Sequence, residues 1–182
     1  DALKQSLELA QAADELGVNG AYFRVHHFAP QAASPMPLLG AIAGSTTHIE
    51  VGTGVIDMRY ENPLYLAEEA AALDQISDGR VALGVSRGSP EPAKDGWRVF
   101  GYDAQEANGS DMARVKFELF LSAIRGEGVA EADTLENQYP QMYQPGTTLP
   151  IFPHSPGLDR RIWRGSGTNA TAVQAAKDGV NL

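Results

Sequence analysis

Two adjacent histidines, His26 and His27, stand out chemically in this 182-residue chain. An imidazole titrates near neutral pH and can take up or release a proton during a reaction. Neighbouring residues of a strand face opposite sides, so one ring can address a site while the other packs behind it. A lone histidine serves equally well as a hydrogen-bonded packing residue. Arg87 is the second candidate. Its guanidinium can grip a phosphate through two parallel N–H bonds, or pair with one of the many acids. The third is Gly165-Ser166-Gly167-Thr168-Asn169. Glycines let backbone N–H groups approach a ligand, and a helix start favours negative charge, so phosphate is a natural guest. The alternative is a plain strand-to-helix turn capped by Thr168 or Asn169.

Other chemistries are poorly served. The chain has no Cys, which excludes disulfides, thiolate nucleophiles and Cys-based metal sites. His26, His27, His48 and His154 lack the spacing of a metal-ligand set. Ser86 and Ser89 flank Arg87, but no Gly-x-Ser-x-Gly elbow is present. Asp57 can act as an acid or base, or pair with Arg59. Trp97 and Phe100 can wall a ring-binding cavity or pack in the core. Fourteen Lys and Arg against 23 Asp and Glu leave a net charge of −9, which argues against nucleic acid and anionic membrane surfaces as partners. No apolar run approaches the roughly 18–20 residues of a membrane span. Asp1-Ala2-Leu3-Lys4-Gln5 has no signal-peptide pattern, and a cytoplasmic location is expected.

The elements that must position these residues follow from periodicity. Residues 2–16 read as a helix closed by Gly17, and 20–26 as a strand. A short buried helix spans 38–45, and a second strand 49–56. Asn62-Pro63 opens a helix with an apolar face of Leu66, Ala70, Leu73 and Ile76. Val81 to Val85 is a third strand. Residues 110–125 form a helix with Met112, Val115, Leu119 and Ala123 in line. Residues 127–158, rich in Gly and Pro, read as a long irregular insertion near the mouth of the site. Residues 160–163 form a fourth strand, 168–177 a helix, and 179–182 the start of another strand. This alternation is the pattern of βαβ units on a parallel sheet, in one domain over 1–182. An open doubly wound sheet and a (β/α)8 barrel both remain. In either, the residues after each strand share the carboxyl rim, where active sites form. His26 and His27, Asp57, Arg87 and the Gly165 turn all fall there.

Several stretches together resemble the bacterial-luciferase-like flavin-dependent monooxygenases. They are Glu15-Leu16-Gly17-Val18-Asn19-Gly20 running on to Val25-His26-His27-Phe28; Val51-Gly52-Thr53-Gly54-Val55 with Asn62-Pro63; Leu73-Asp74-Gln75-Ile76-Ser77-Asp78-Gly79-Arg80; Leu83-Gly84-Val85-Ser86-Arg87-Gly88 with Trp97-Arg98-Val99-Phe100-Gly101; and Ile162-Trp163-Arg164-Gly165-Ser166-Gly167 through Ala175-Ala176. The resemblance implies a (β/α)8 TIM-type barrel of which this chain holds about half, because a barrel needs eight strands and about 250 residues. It implies reduced flavin, usually FMN, bound at the carboxyl rim. The flavin would react with O2 to oxygenate an organic substrate, with a separate reductase as supplier. By position it makes His26 the active-site histidine with His27 beside it, Arg87 the flavin-phosphate arginine, and Gly167, Thr168 and Thr171 the phosphate-binding turn and helix start. It implies a homodimer built on the helices near 35–46 and 63–76. Arg24 stands where many relatives have an acid, and some branches use a deazaflavin and transfer hydride without O2. A sugar-phosphate isomerase or lyase on the same fold, and a non-catalytic flavin-storage or flavin-sensing module, are the competing classes.

Overall fold

The computed structural model describes residues 1–30, 32–88 and 91–182. Asp1 caps helix α1 (Ala2–Glu15), its carboxylate accepting from the Leu3 N–H at 3.1 Å. Strand β1 (Gly20–Phe23), helix α2 (Pro35–Ser45), strand β2 (Glu50–Asp57), helix α3 (Pro63–Ile76) and strand β3 (Val81–Ser86) follow. The start of α3 is set by Asn62, whose side-chain oxygen accepts from the N–H groups of Leu64 and Tyr65, while Pro63 supplies a helical φ. After a loop with a short 3-10 turn come helix α4 (Ser110–Ile124), strands β4 (Ala130–Glu131) and β5 (Thr148–Leu149), strand β6 (Ile162–Arg164) and helix α5 (Asn169–Asp178).

The main sheet runs β1-β2-β3-β6, every neighbouring pair parallel. The order never reverses. A doubly wound sheet needs a reversal at its switch point, so this sheet is singly wound, as in a barrel. It resolves the choice that periodicity left open. The core lies between sheet and helices and includes the fully buried Leu39, Ile42, Ile49, Val51, Ile56, Leu83, Phe120 and Ile162. On the other face glycines make room for two rings. A Cβ on Gly52 would lie 2.9 Å from the Tyr22 ring and one on Gly84 2.7 Å from that of Trp163. Those rings meet edge-to-face at 6.3 Å. Between β2 and β3 the register slips: Thr53 pairs with Leu83, but Ile56 pairs with Val85. The Thr53 hydroxyl patches the break, donating to the Gly84 carbonyl at 3.0 Å and accepting its N–H at 3.1 Å.

Buried polar clusters secure the amino ends of the strands. The Asp14 carboxylate accepts from the N–H groups of Thr47, His48 and Ile49. Asp74, 1% exposed, accepts from Arg161, the Ser155 hydroxyl and the Val81 N–H.

Several sequence expectations change. β1 stops at Phe23, and Val25 makes only an isolated bridge with Ala32. Residues 158–161 form a 3-10 turn rather than the start of a strand, and β6 begins at Ile162. Gly157, at φ +88°, sets that turn, and Arg161 reaches away to Asp74. The 127–158 segment contains the antiparallel pair β4–β5. Two contacts anchor its carboxyl-terminal end near the amino ends of the strands. Gln75 donates to the His154 carbonyl and Ser155 to Asp74, both at the end of α3 that leads into β3. The reason is that α4 runs back from the carboxyl rim and delivers the chain to the amino side.

Candidate active site

The chain after β1 turns His26 and His27 to different surroundings. The Nη2 of Arg24 lies 3.0 Å from the Nε2 of His26. A guanidinium has no acceptor, so Nε2 of His26 accepts. His27 goes the other way. Its ring stacks on Tyr60 with centroids 4.1 Å apart and planes 18° apart, and meets the edge of Phe100 at 5.2 Å. Its Nε2 is buried without a hydrogen-bond partner among the described residues. Burial pushes the His27 pKa down against the pull of Asp57 and Glu91, which favours the neutral ring. The Tyr60 hydroxyl donates to Glu91, and burial with that carboxylate beside it raises the phenol's pKa.

The end of β2 supplies Asp57 and Arg59, which pair as a chelate with Nη2 at 2.6 Å from Oδ2. Arg59 is 6% exposed, and its guanidinium lies 4.5 Å from the centroid of the buried Trp97 ring. Trp97 is thus a packing residue, whereas Phe100 is half-exposed beside His27. Beneath this layer, the Lys116 ammonium donates to the Arg59 carbonyl at 2.8 Å and sits 3.1 Å over the Tyr102 ring. Burial lowers the Lys116 pKa to about 8 and raises that of Glu61 to about 7. Ser89, named from the sequence beside Arg87, lies outside the described residues.

Arg87, just past β3, is exposed and makes no ion pair among the described residues. It lines a cavity of about 240 Å³ with Thr168 and Thr171. Thr168 caps α5, accepting from the Thr171 N–H at 3.2 Å, and the two hydroxyls lie 3.0 Å apart. Sequence reasoning missed the other residues of this cavity, among them Ser110 and Arg114 on α4 and Arg164 at the end of β6. Arg164 is already engaged, by Asp178 at 2.7 Å and by the Phe117 ring. Arg114 hides in the sequence because the apolar stripe of α4 is displaced from the one expected. The helix buries Ala113, Phe117, Phe120 and Ile124, while Val115 is 59% exposed. Two helix starts and several guanidinium groups border this hollow, a lining whose chemistry suits an anion.

Gly165, Ser166, Gly167 and Thr168 line an adjoining hollow of about 390 Å³ with Trp163 and Arg164. The two hollows share Arg164 and Thr168. The structure therefore brings Arg87 and the Gly165 turn together, while His26 and His27 occupy the end of β1, farther along the same rim. A Cβ on Gly165 would press within 2.9 Å of Val55, so the turn is kept bare where it meets β2. No cluster of His, Cys, Asp or Glu among the described residues could hold a metal ion. No helix among them is long and apolar enough to cross a membrane.

A singly wound parallel sheet with cation-lined hollows at its carboxyl rim defines the class as a barrel-type α/β protein. The comparisons narrow it. The family model described as "Luciferase-like monooxygenase" matches residues 1–182, and the chain belongs to that family. It is 32% identical over 180 residues to the protein y4wF of Sinorhizobium fredii, covering 97% of this chain and 48% of that one. It is 33% identical over 102 residues to the oxygenase component of a flavin-dependent trigonelline monooxygenase of Acinetobacter baylyi, covering 51% of this chain and 28% of that one. The crystal structure of the monooxygenase RslO1 from Streptomyces bottropensis superimposes with a TM-score of 0.70 at 28% identity, covering 99% of this chain and 53% of that one. At lower identity the fold alone is shared with two others. One is the oxygenating constituent of 3,6-diketocamphane monooxygenase from Pseudomonas putida in complex with FMN (TM-score 0.69, 18%, covering 97% of this chain and 50% of that one). The other is a coenzyme F420 dependent reductase from Methanopyrus kandleri (0.67, 22%, covering 96% and 50%). The chain spans about half or less of the length of the curated relatives named here.

Proposed function

We propose that the full-length protein is a flavin-dependent monooxygenase that uses reduced FMN and O2 on a small organic substrate. The observation that carries this reading is the cavity in which Arg87 meets the capped start of α5. Its donors suit a phosphate monoester, the group that distinguishes FMN from riboflavin. Arg87 and Arg114 supply charge, Thr168 and Thr171 supply hydroxyls, and the start of α5 supplies free N–H groups. The neighbouring turn of Gly165, Ser166 and Gly167 lets the rest of the cofactor approach the backbone closely. When bound, reduced FMN supplies two electrons to O2, so that one oxygen atom enters the substrate and the other leaves as water. His26 takes the proton-handling role in this reading: with Nε2 accepting from Arg24, its ring carries the proton at Nδ1. His27 backs it as a neutral ring in the layer behind. A homodimer through the outer faces of α2 and α3, a separate flavin reductase and a cytoplasmic location complete the reading.

The F420-dependent neighbour favours one second reading, a hydride-transfer oxidoreductase with the same phosphate seat. Titration of the full-length protein with FMN, riboflavin and the deazaflavin, followed by absorbance and fluorescence, tests both. Tightest binding of FMN, with O2 consumption that depends on reduced FMN and substrate, is expected. Tightest binding of the deazaflavin transfers the assignment to the second reading. Failure to bind any of the three, with binding of a triose or pentose phosphate, overturns both.

A further inference from the structure

We propose that Arg59, which does not line the anion cavity, is the positioning residue that sets its shape. This rests on the reading of that cavity as a flavin-phosphate seat. Arg59 is held from every side. Its Nε donates to the Asp57 carboxylate at 3.0 and 3.1 Å, and its Nη1 donates to the Asn108 carbonyl at 3.2 Å. Its own N–H is bound to Asp57 at 3.0 Å and its carbonyl to Lys116. Glu91 lies 3.5 Å from Nη2, and the Trp97 ring lies against the guanidinium.

Two glycines with positive φ close on this fixed side chain. Gly88, at φ +102°, lies so near that a Cβ would fall 2.1 Å from Nε and 2.2 Å from Cζ of Arg59. Gly109, at φ +68°, is nearly as close, its Cβ position being 3.0 Å from Cδ of Arg59 and 3.4 Å from Trp97. Gly88 follows Arg87. Gly109 caps α4 and precedes Ser110, on the helix that also carries Arg114. Two of the segments that line the cavity, one carrying Arg87 and the other Ser110 and Arg114, therefore dock through adjacent glycines on one buried guanidinium. Their separation is set by the side chain between them. A lysine cannot reproduce this, because one ammonium cannot span Asp57 and Asn108 or present a flat face to Trp97.

The test measures FMN and riboflavin affinity of the full-length protein by fluorescence titration. The variants are Arg59→Lys, Gly88→Ala, Arg87→Ala and the double change Arg59→Lys with Arg87→Ala. Arg59→Lys and Gly88→Ala are each expected to weaken FMN by about tenfold while moving riboflavin by less than about twofold. Arg87→Ala should then cost little more in the Arg59→Lys background, because Arg87 is already misplaced. Equal weakening of both ligands, or fully additive losses, would show that Arg59 only supports the fold and overturns the proposal. If Arg59→Lys does not fold, Gly88→Ala, which keeps the guanidinium but wedges it away from the Arg87 segment, carries the same comparison, with Gly109→Ala as the milder wedge. A parent protein with no preference for FMN over riboflavin defeats the phosphate-seat reading itself. A parent that prefers FMN, with variants that keep the preference, defeats only the role of Arg59.

Discussion

The imidazole of His27 lies flat on the ring of Tyr60, and Tyr60 in turn is fixed by a hydrogen bond from its hydroxyl to Glu91. The stack buries a polar nitrogen that has no partner among the described residues. Such a nitrogen is tolerated when the ring is neutral and becomes costly when it is charged.

Acid should therefore loosen this part of the rim. Burial holds the His27 pKa below its ordinary value near 6.5, so the unfolded chain binds the proton more readily than the folded one. Stability then falls as pH drops below about 6.5, and the fall ends at the lower, folded pKa. Replacing His27 by Phe keeps a ring on Tyr60 and removes the proton. Thermal unfolding between about pH 5 and 7.5 should show a declining midpoint in the parent and a flatter one in the variant. Parallel slopes would contradict the assignment.

Arg87→Ala should weaken FMN by about 1.5–3 kcal/mol, the worth of a lost charge-assisted hydrogen bond, and leave riboflavin nearly unaffected. Isothermal titration with both ligands measures the difference directly. A loss shared by riboflavin would mean that Arg87 touches some other part of the ligand.

Asp74→Asn should destabilise the fold by about 3–5 kcal/mol in urea unfolding, because the change strips the countercharge from the half-buried Arg161. Burial pushes the Asp74 pKa up, but Arg161, Ser155 and the Val81 N–H more than offset it and hold it below the ordinary range. Its contribution is thus fully present above about pH 4 and disappears as pH falls through the folded value. The Asn variant should lack that part of the acid transition. A variant as stable as the parent at neutral pH would show that the pair contributes no net stability.

Gly84→Ala should drive the new methyl into the Gly54 carbonyl, 2.1 Å away, and into the Trp163 ring. A cost of about 1–3 kcal/mol is expected for such overpacking. Displacement of Trp163 toward water should shift tryptophan emission to the red. An unchanged spectrum would mean that the backbone yields instead.

The legible parts of the fold were those written locally. Asn62-Pro63 marks the start of α3 because cap and constrained φ act within a few residues. The parallel sheet was legible from the alternation of apolar runs, and the turn from Gly165 to Thr168 from the coincidence of glycines with a helix cap. The rest depends on distant partners. Arg161 was read as strand, yet it answers to Asp74, 87 residues away. Arg114 looked like one more solvated residue, because only the true rotation of α4 against Phe117 and Phe120 turns it toward Arg87. Arg59 read as half of a simple ion pair. Its contacts with Gly88 and Gly109 exist only once three segments meet.

The slipped register between Thr53 and Ile56 has a consequence for the whole rim. β2 spends three steps where β3 spends two, so the parity of its last residues is inverted relative to an unbroken ladder. Ile56 is turned into the core by that extra step, and the chain beyond it carries Asp57 and Arg59 under the rim. A deletion of a single residue at Gly54 or Val55 would remove the extra step and leave Ile56 opposite Val85 and facing the core, whereas drawing the native sequence into an unbroken ladder would exchange inside for outside at its carboxyl end.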